Sequence, residues 1–178
     1  MEALEQVKKD AADGVGGQRL AGGVTVYDSD PFFLHVRGYG DTYCLDNFAS
    51  GNGAAGSPVG FWLCNGGNTE RWRWRLFSSE VYAGYELVNY DSGRCLSYPP
   101  NIDVPGAQMI VDDCRDGVWL RQAIAIYFHN GGLVLDFRAY RWGNTCLDGF
   151  SSAWRGNGSP VGLWICDPKK PNVYQLWF

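Results

Sequence analysis

Histidine is nearly absent from this sequence: only His35 and His129 occur in 178 residues. Both read as ordinary strand residues. No C-x-x-C spacing occurs to pair with them, so a zinc site is not expected. Lysine is scarce as well, at 8, 9, 169 and 170, and the eleven arginines are scattered. With 19 acidic and 15 basic side chains the net charge is -4, which argues against nucleic acid or an anionic membrane as partner. No apolar run approaches a membrane span, so no insertion is expected. The motifs Gly-x-Ser-x-Gly, His-Glu-x-x-His and the P-loop are missing. Glycosidase chemistry needs two positioned carboxylates, and the adjacent Asp112 and Asp113 fall on opposite faces of a strand. We expect no enzyme, no cofactor and no metal. Helical periodicity is lacking beyond residue 22.

What the sequence has instead is repetition. Cys44-Leu-Asp-Asn-Phe48 leads to Ser57-Pro-Val-Gly-Phe-Trp-Leu-Cys64 and Glu70-Arg-Trp72. Cys146-Leu-Asp-Gly-Phe150 leads to Ser159-Pro-Val-Gly-Leu-Trp-Ile-Cys166 and Tyr174-Gln-Leu-Trp-Phe178. An eroded copy lies between them, with Cys95-Leu-Ser-Tyr98, Met109-Ile-Val-Asp-Asp-Cys114 and Gln122-Ala-Ile124. First cysteines fall at 44, 95 and 146, 51 positions apart each time. Second cysteines follow 20, 19 and 20 positions later. A fixed period of this size marks a repeat architecture. The repeat also selects one cysteine pairing, Cys44–Cys64, Cys95–Cys114 and Cys146–Cys166. Each disulfide would add about 3 kcal/mol on the chain-entropy model. Disulfides imply an oxidising compartment. Met1-Glu-Ala-Leu-Glu lacks the basic start and apolar run of a signal peptide. We therefore expect a secreted protein whose signal is not in this chain, with exit by another route or thiols that stay reduced as the alternatives.

Residues 1–22 stand apart. Leu4, Val7 and Ala11 fall at helical spacing, Glu5 can pair with Lys9, and Gly14, Gly16 and Gly17 break the pattern. A short helix or linker is expected, with a docked helix or an oligomer contact as the sharper option. The β-domain then covers 23–178, in repeats of about 28–78, 79–128 and 129–178. Each holds four short β-rich segments, the first beginning at Phe32-Phe-Leu-His-Val-Arg37 and the last ending at Tyr174–Phe178. Arg71, Arg73 and Arg75 share a strand face, read as solvated edge or as a site for an acidic partner. Four such strands cannot bury a hydrophobic face alone, and three units around a pseudo-threefold axis close a barrel without exposed edges. The fold expected is all-β: a β-trefoil.

Cys-Leu-Asp, then Gly-x-x-Val-x-x-Trp-x-Cys, then Gln-x-Trp, three times over, resembles the ricin-B-type (R-type) lectins and related carbohydrate-binding modules. The resemblance covers roughly 28–178. It implies that the Trp of Gln-x-Trp sits in the core, here Trp72 and Trp177, while the Gln braces its lobe, here Gln175, with Glu70 in the first copy and Ile124 replacing Trp in the second. It implies sugar pockets at Asp46 with Trp62 and at Asp148 with Trp164. A carboxylate accepts hydrogen bonds from vicinal hydroxyls and a flat ring covers the C–H face of a pyranose. We take Asp46, Trp62, Glu70, Asp148, Trp164 and Gln175 as the sugar-binding candidates. On their own residues, Asp46 and Asp148 also read as turn caps, and Trp62 and Trp164 as hairpin packing. The middle copy has Ser97 and Asp112 at these places and is expected to be dead. The chain departs from the pattern with Gly60 and Gly162 where a Gln is frequent, and with Thr69 and Tyr174 where an Asn is. Asn52, Trp154, Arg155 and Asn157 are candidates to supply substitute contacts.

The function implied is a lectin module with up to two pockets, for galactose- or GalNAc-type sugars or polysaccharide. Its partners would be glycans or glycoproteins, with a separate toxin or enzyme domain or subunit possible. The alternative is a receptor- or protein-binding trefoil, such as a toxin's cell-binding component, with vestigial pockets.

Overall fold

Short runs of β-branched and aromatic residues, each stopped by turn residues, produce short strands. The computed structural model describes residues 1–20, 23–48, 53–78, 83–100, 104–115, 121–137 and 144–178. Helix α1 (Glu2–Asp13) precedes β1 (Gln18–Arg19), β2 (Thr25–Asp28), β3 (Phe32–Phe33), β4 (Tyr43–Asp46), β5 (Gly60–Leu63) and β6 (Arg71–Ser78). The second round holds β7 (Ala83–Asn89), β8 (Cys95–Ser97), β9 (Ile110–Asp112) and β10 (Ala125–His129). The third holds β11 (Gly132–Asp136), β12 (Thr145–Asp148), β13 (Ser159–Pro160) and β14 (Gly162–Ile165). Strands β1-β2-β6-β7-β8-β9 form one antiparallel path with β3 also on β6, β10-β11-β12-β14 form a second sheet, and β13-β5-β4 a third.

The repeats close on one another through their equivalent segments. Val59 N donates to Met109 O (2.9 Å), Met109 N to Val161 O (2.8 Å) and Val161 N to Val59 O (3.4 Å). These three residues, one from each repeat and all fully buried, form a ring of backbone hydrogen bonds about the pseudo-threefold axis. Strand β13 of the third repeat pairs with β5 of the first, Ser159 opposite Phe61. This is the β-trefoil expected from the repeat. The three disulfides are Cys44–Cys64, Cys95–Cys114 and Cys146–Cys166.

The core follows the same symmetry. Trp72 and Trp177 are wholly buried. The Trp72 indole donates to Leu45 O (2.9 Å) and the Trp177 indole to Leu147 O (3.0 Å). In the middle copy Ile124 stays apolar and buried but has no N–H to offer. Two segments are less regular than expected. Of Phe32–Arg37, only Phe32 and Phe33 form a regular strand, β3, while Leu34 O accepts from Leu45 N of β4 and Val36 bridges to Trp177. The final segment opens with a 3-10 turn at Val173–Gln175, because Asn172 Oδ1 accepts from Tyr174 N (2.8 Å) and tightens the backbone there. Arg73 and Arg75 lie on Asp28 at 3.6 and 2.7 Å, and Arg71 over the Phe33 ring, so this row is engaged by neighbouring strands.

The N-terminal helix is docked. α1 lies against β6 and β2, ends on Gly14 with φ 68, and sinks Leu4 and Val7 into the main core at 0% exposure. Glu5 pairs with Lys8 at 2.9 Å rather than with Lys9, and the Lys8 ammonium sits over the Phe128 ring. Leu4→Ala should therefore destabilise the protein by about 2–5 kcal/mol in urea unfolding. A frayed tail would show no more than about 0.5 kcal/mol.

Candidate functional site

Hairpin register builds each candidate pocket. Asp46 lies opposite Gly60 and Cys44 opposite Trp62 across β4 and β5. Asp148 lies opposite Gly162 and Cys146 opposite Trp164 across β12 and β14. Side chains two apart on a strand share a face, so carboxylate and indole meet on one side of the hairpin. Trp62 and Trp164 are 41% and 46% exposed, which sets them apart from the buried core tryptophans and leaves them free to act as platforms. Trp62 lines a cavity of about 490 Å³ with Asp46, Phe48, Asn65, Thr69, Arg155 and Gly158. Trp164 lines a smaller one of about 250 Å³ with Asp148, Phe150, Ser151, Ser152, Asn172 and Tyr174.

Both carboxylates are nearly buried yet face these cavities. Asp46 Oδ2 accepts from Thr69 Oγ1 (3.1 Å). Asp148 Oδ1 accepts from Phe150 N (2.7 Å), and Gln175 and Asn172 also bond its carboxylate. Asp148 thus caps its turn and lines the cavity at the same time. Burial pushes Asp46 up to about 6, with Glu70 and Asp91 adding repulsion and Thr69 opposing. Burial raises Asp148 as well, against its three hydrogen bonds. A buried carboxyl raised in this way costs stability at neutral pH, a cost that disappears as pH falls through its folded midpoint. Such groups cluster at functional sites.

The two glycines have a steric cause. A Cβ on Gly60 would overlap the Ser159 carbonyl and the Phe48 ring, and one on Gly162 would overlap the Ala107 carbonyl and the Phe150 ring. The space that a Gln would take is filled by phenylalanine. Phe48 and Phe150 stand edge-on to Trp62 and Trp164, each pair with centroids 6.2 Å apart. These two were missed in reading the sequence, although both sit four positions after a first cysteine. Asn65 and Asn172 were missed too, and nothing in the repeat distinguishes them from loop asparagines.

Glu70 and Gln175 lie behind the pockets and line neither cavity. The Glu70 carboxylate accepts from Asn65 N (2.9 Å) and Gly66 N (3.0 Å). Gln122 Nε2 donates to Asp113 O (2.9 Å), and Gln175 Nε2 to Ile165 O (3.3 Å). All three are buried and brace the chain around the second cysteine of their repeat. Gln175 additionally orients Asp148. In the middle repeat, Ser97 is buried and donates to Tyr98 O (3.0 Å), while Asp112 accepts from Arg121 Nη2 (3.0 Å). Among the described residues, these two positions of the middle repeat offer neither an unpaired carboxylate nor an aromatic platform.

Of the candidate substitutes, Asn52 lies outside the described residues. Trp154 stacks on Tyr39 with centroids 3.6 Å apart. Asn157 Oδ1 accepts from Leu63 N (2.8 Å). Arg155 alone reaches a pocket, that of the first repeat. The clusters His35–Cys44–Cys64 and Glu86–Cys95–Cys114 commit their sulfurs to disulfides and offer no thiolate. A groove of about 860 Å³ under α1 touches Trp74, which is 1% exposed and cannot serve as a platform.

The sequence matches no family model and no curated protein. The fold has clear likenesses among solved structures. ThreeFoil, a designed 3-fold symmetric protein, aligns with a TM-score of 0.67 and 20% identity over 83% of this chain and 95% of its own. A Macrolepiota procera ricin B-like lectin, solved in complex with lactose, aligns at 0.59 and 14% over 83% and 92%. The Haemophilus ducreyi cytolethal distending toxin aligns at 0.55 and 20% over 82% and 81%. Threefold backbone ring, one disulfide per repeat and these likenesses together give the chain the β-trefoil fold.

Proposed function

We propose that this chain is a carbohydrate-binding module with two pockets, one in the first repeat and one in the third. The observation that carries this reading is a twice-built pairing: a buried carboxylate and an exposed tryptophan, joined across one hairpin in the same register. Asp46 and Asp148 accept sugar hydroxyls, Trp62 and Trp164 cover the ring, and Phe48 and Phe150 buttress the platforms. Thr69 and Gln175 hold the carboxylates in place. Each cavity is lined by a single carboxylate among its described residues, whereas glycoside hydrolysis uses two. The chemistry therefore favours binding. Galactose- or GalNAc-type sugars and polysaccharides are the ligand class, presented on glycans or glycoproteins in an oxidising, extracellular setting that suits three disulfides. Two weak pockets on one rigid domain gain avidity on a glycan-dense surface, and a toxin or enzyme component is a fitting cargo.

A second reading is a protein-docking trefoil. The likeness to a cytolethal distending toxin and the loss of the middle pocket favour it. A glycan array of the disulfide-bonded protein separates the two. Trp62→Ala and Trp164→Ala should each weaken retention by about tenfold with little change in stability, since both rings are substantially exposed. A blank array at high protein concentration would sink the sugar reading and leave protein docking.

A further inference from the structure

The two cavities differ by one charged side chain. The third is lined by Asp148, two serines, an asparagine and three aromatics, with no cation among the described residues. The first contains Arg155, which comes from the third repeat. The loop that carries Arg155 is fastened onto the first repeat at two points. Asn157 Oδ1 accepts from Leu63 N (2.8 Å), one residue beyond the Trp62 platform, and Gly158 N donates to Phe61 O (2.8 Å), one residue before it. Gly156 and Gly158 take φ of 77 and 81 to turn the loop inward, a conformation that favours glycine.

The guanidinium is pre-positioned and has no anionic partner among the described residues. Its Nε and Nη2 both donate to Gly158 O (3.2 and 2.9 Å), which folds the side chain onto its own loop. Nη1 makes no hydrogen bond among the described residues. Arg73, Arg75, Arg94 and Arg121 all have carboxylate partners, but Arg155 has none among the described residues. An exposed, oriented cation beside an aromatic platform lacks only an anion. The chain's net charge of -4 supplies no general attraction for one, so selection must come from this local contact.

We propose that the first pocket selects sugars bearing an anionic group, a carboxylate or a sulfate, which the Arg155 guanidinium binds while Asp46 accepts hydroxyls from the same ring. The third pocket takes neutral sugars. A planar guanidinium fork matches both anions. This inference rests on the sugar-binding reading, and its test keeps the two apart.

An array carrying galactose and glucose, each beside its uronic acid and its 3-sulfated form, is probed with the Asp148→Ala variant, in which the first pocket acts alone. Calorimetry on the best-retained set then gives affinities. Acidic forms should bind about tenfold more tightly than the neutral parent, and the advantage should shrink between roughly 0.05 and 0.5 M salt. Adding Arg155→Gln should bring the acidic-to-neutral ratio close to one. Arg155→Lys, which keeps the charge but loses the fork, should retain part of it and guards against a folding defect in the Gln variant. The uronate and sulfate arms identify the anion. Retention of neutral sugar with an equal or greater affinity than its acidic forms would overturn the anion selectivity and leave the sugar reading standing. Retention of neither, with the native protein also blank, would overturn both.

Discussion

The Asp46→Ala/Asp148→Ala double variant will pass unretained through a glycan matrix that holds the native protein. Each carboxylate can accept from two vicinal hydroxyls, and a hydrogen bond to a charged acceptor contributes about 1.5–3 kcal/mol. Losing two at one pocket weakens binding there by at least about a hundredfold. Single variants should leave one pocket each, visible as monovalent binding. The same carboxylates set a pH dependence. Burial pushes Asp46 up to about 6, helped by Glu70 and Asp91, and its sugar-accepting form is the ionised one. Affinity at the first pocket is thus full above that value and falls about tenfold per pH unit below it. Asp148 is raised in the same direction by burial, so the third pocket also weakens on the acid side. Titration calorimetry from neutral to acid pH, repeated with Asp46→Asn, checks the assignment. A pH step at the first pocket that survives Asp46→Asn would assign the titration to another group.

Trp177→Ala should be the most damaging single core change. The ring is fully buried and stacks on Phe61 with centroids 5.9 Å apart, and truncations of this kind cost about 3–5 kcal/mol. It also leaves Leu147 O without its indole donor, at a further cost of about 1–3 kcal/mol. Trp177→Phe separates the two, since it keeps most of the packing and loses the N–H. Trp62→Ala is the contrast: its ring is 41% exposed, as the proposed platform role requires, and its removal should move the unfolding midpoint little. Urea unfolding with an unchanged m-value would report these as true stability changes. Equal losses at Trp62 and Trp177 would contradict the division between platform and core.

That division was legible before any coordinates, because Trp62 and Trp164 occupy one repeat position and Trp72 and Trp177 another. The same holds for the cysteine pairing and the trefoil. A repeat carries its own alignment, and three copies restrict each other. What stayed hidden belongs to single copies or to contacts between copies. The spacing of Leu4 and Val7 shows a helix, but no pattern shows what surface would cover it. Arg155 enters a pocket whose Asp46 lies in another repeat, a contact set by β13 pairing with β5. Phe48 and Phe150 were visible in register, yet their place beside the indoles follows from a steric fact about Gly60 and Gly162. Glu70 illustrates a third kind. Its buried carboxylate braces Asn65 and Gly66, and only the surrounding amides reveal that an acid can serve where its equivalents are glutamines.

The ring through Val59, Met109 and Val161 bears on how the protein is made. A nascent chain emerges at about 5–20 residues per second, so β5 waits about 5–20 s for β13 to arrive as its neighbour. During that time it is an open edge, the kind of surface that pairs with strangers. Arg155 and Gly158, the far wall of the first pocket, come out in the same late stretch. A polypeptide cut short of residue 155 therefore carries neither the closed axis nor Arg155, and on the proposed reading retention on an acidic sugar would report synthesis past Val161.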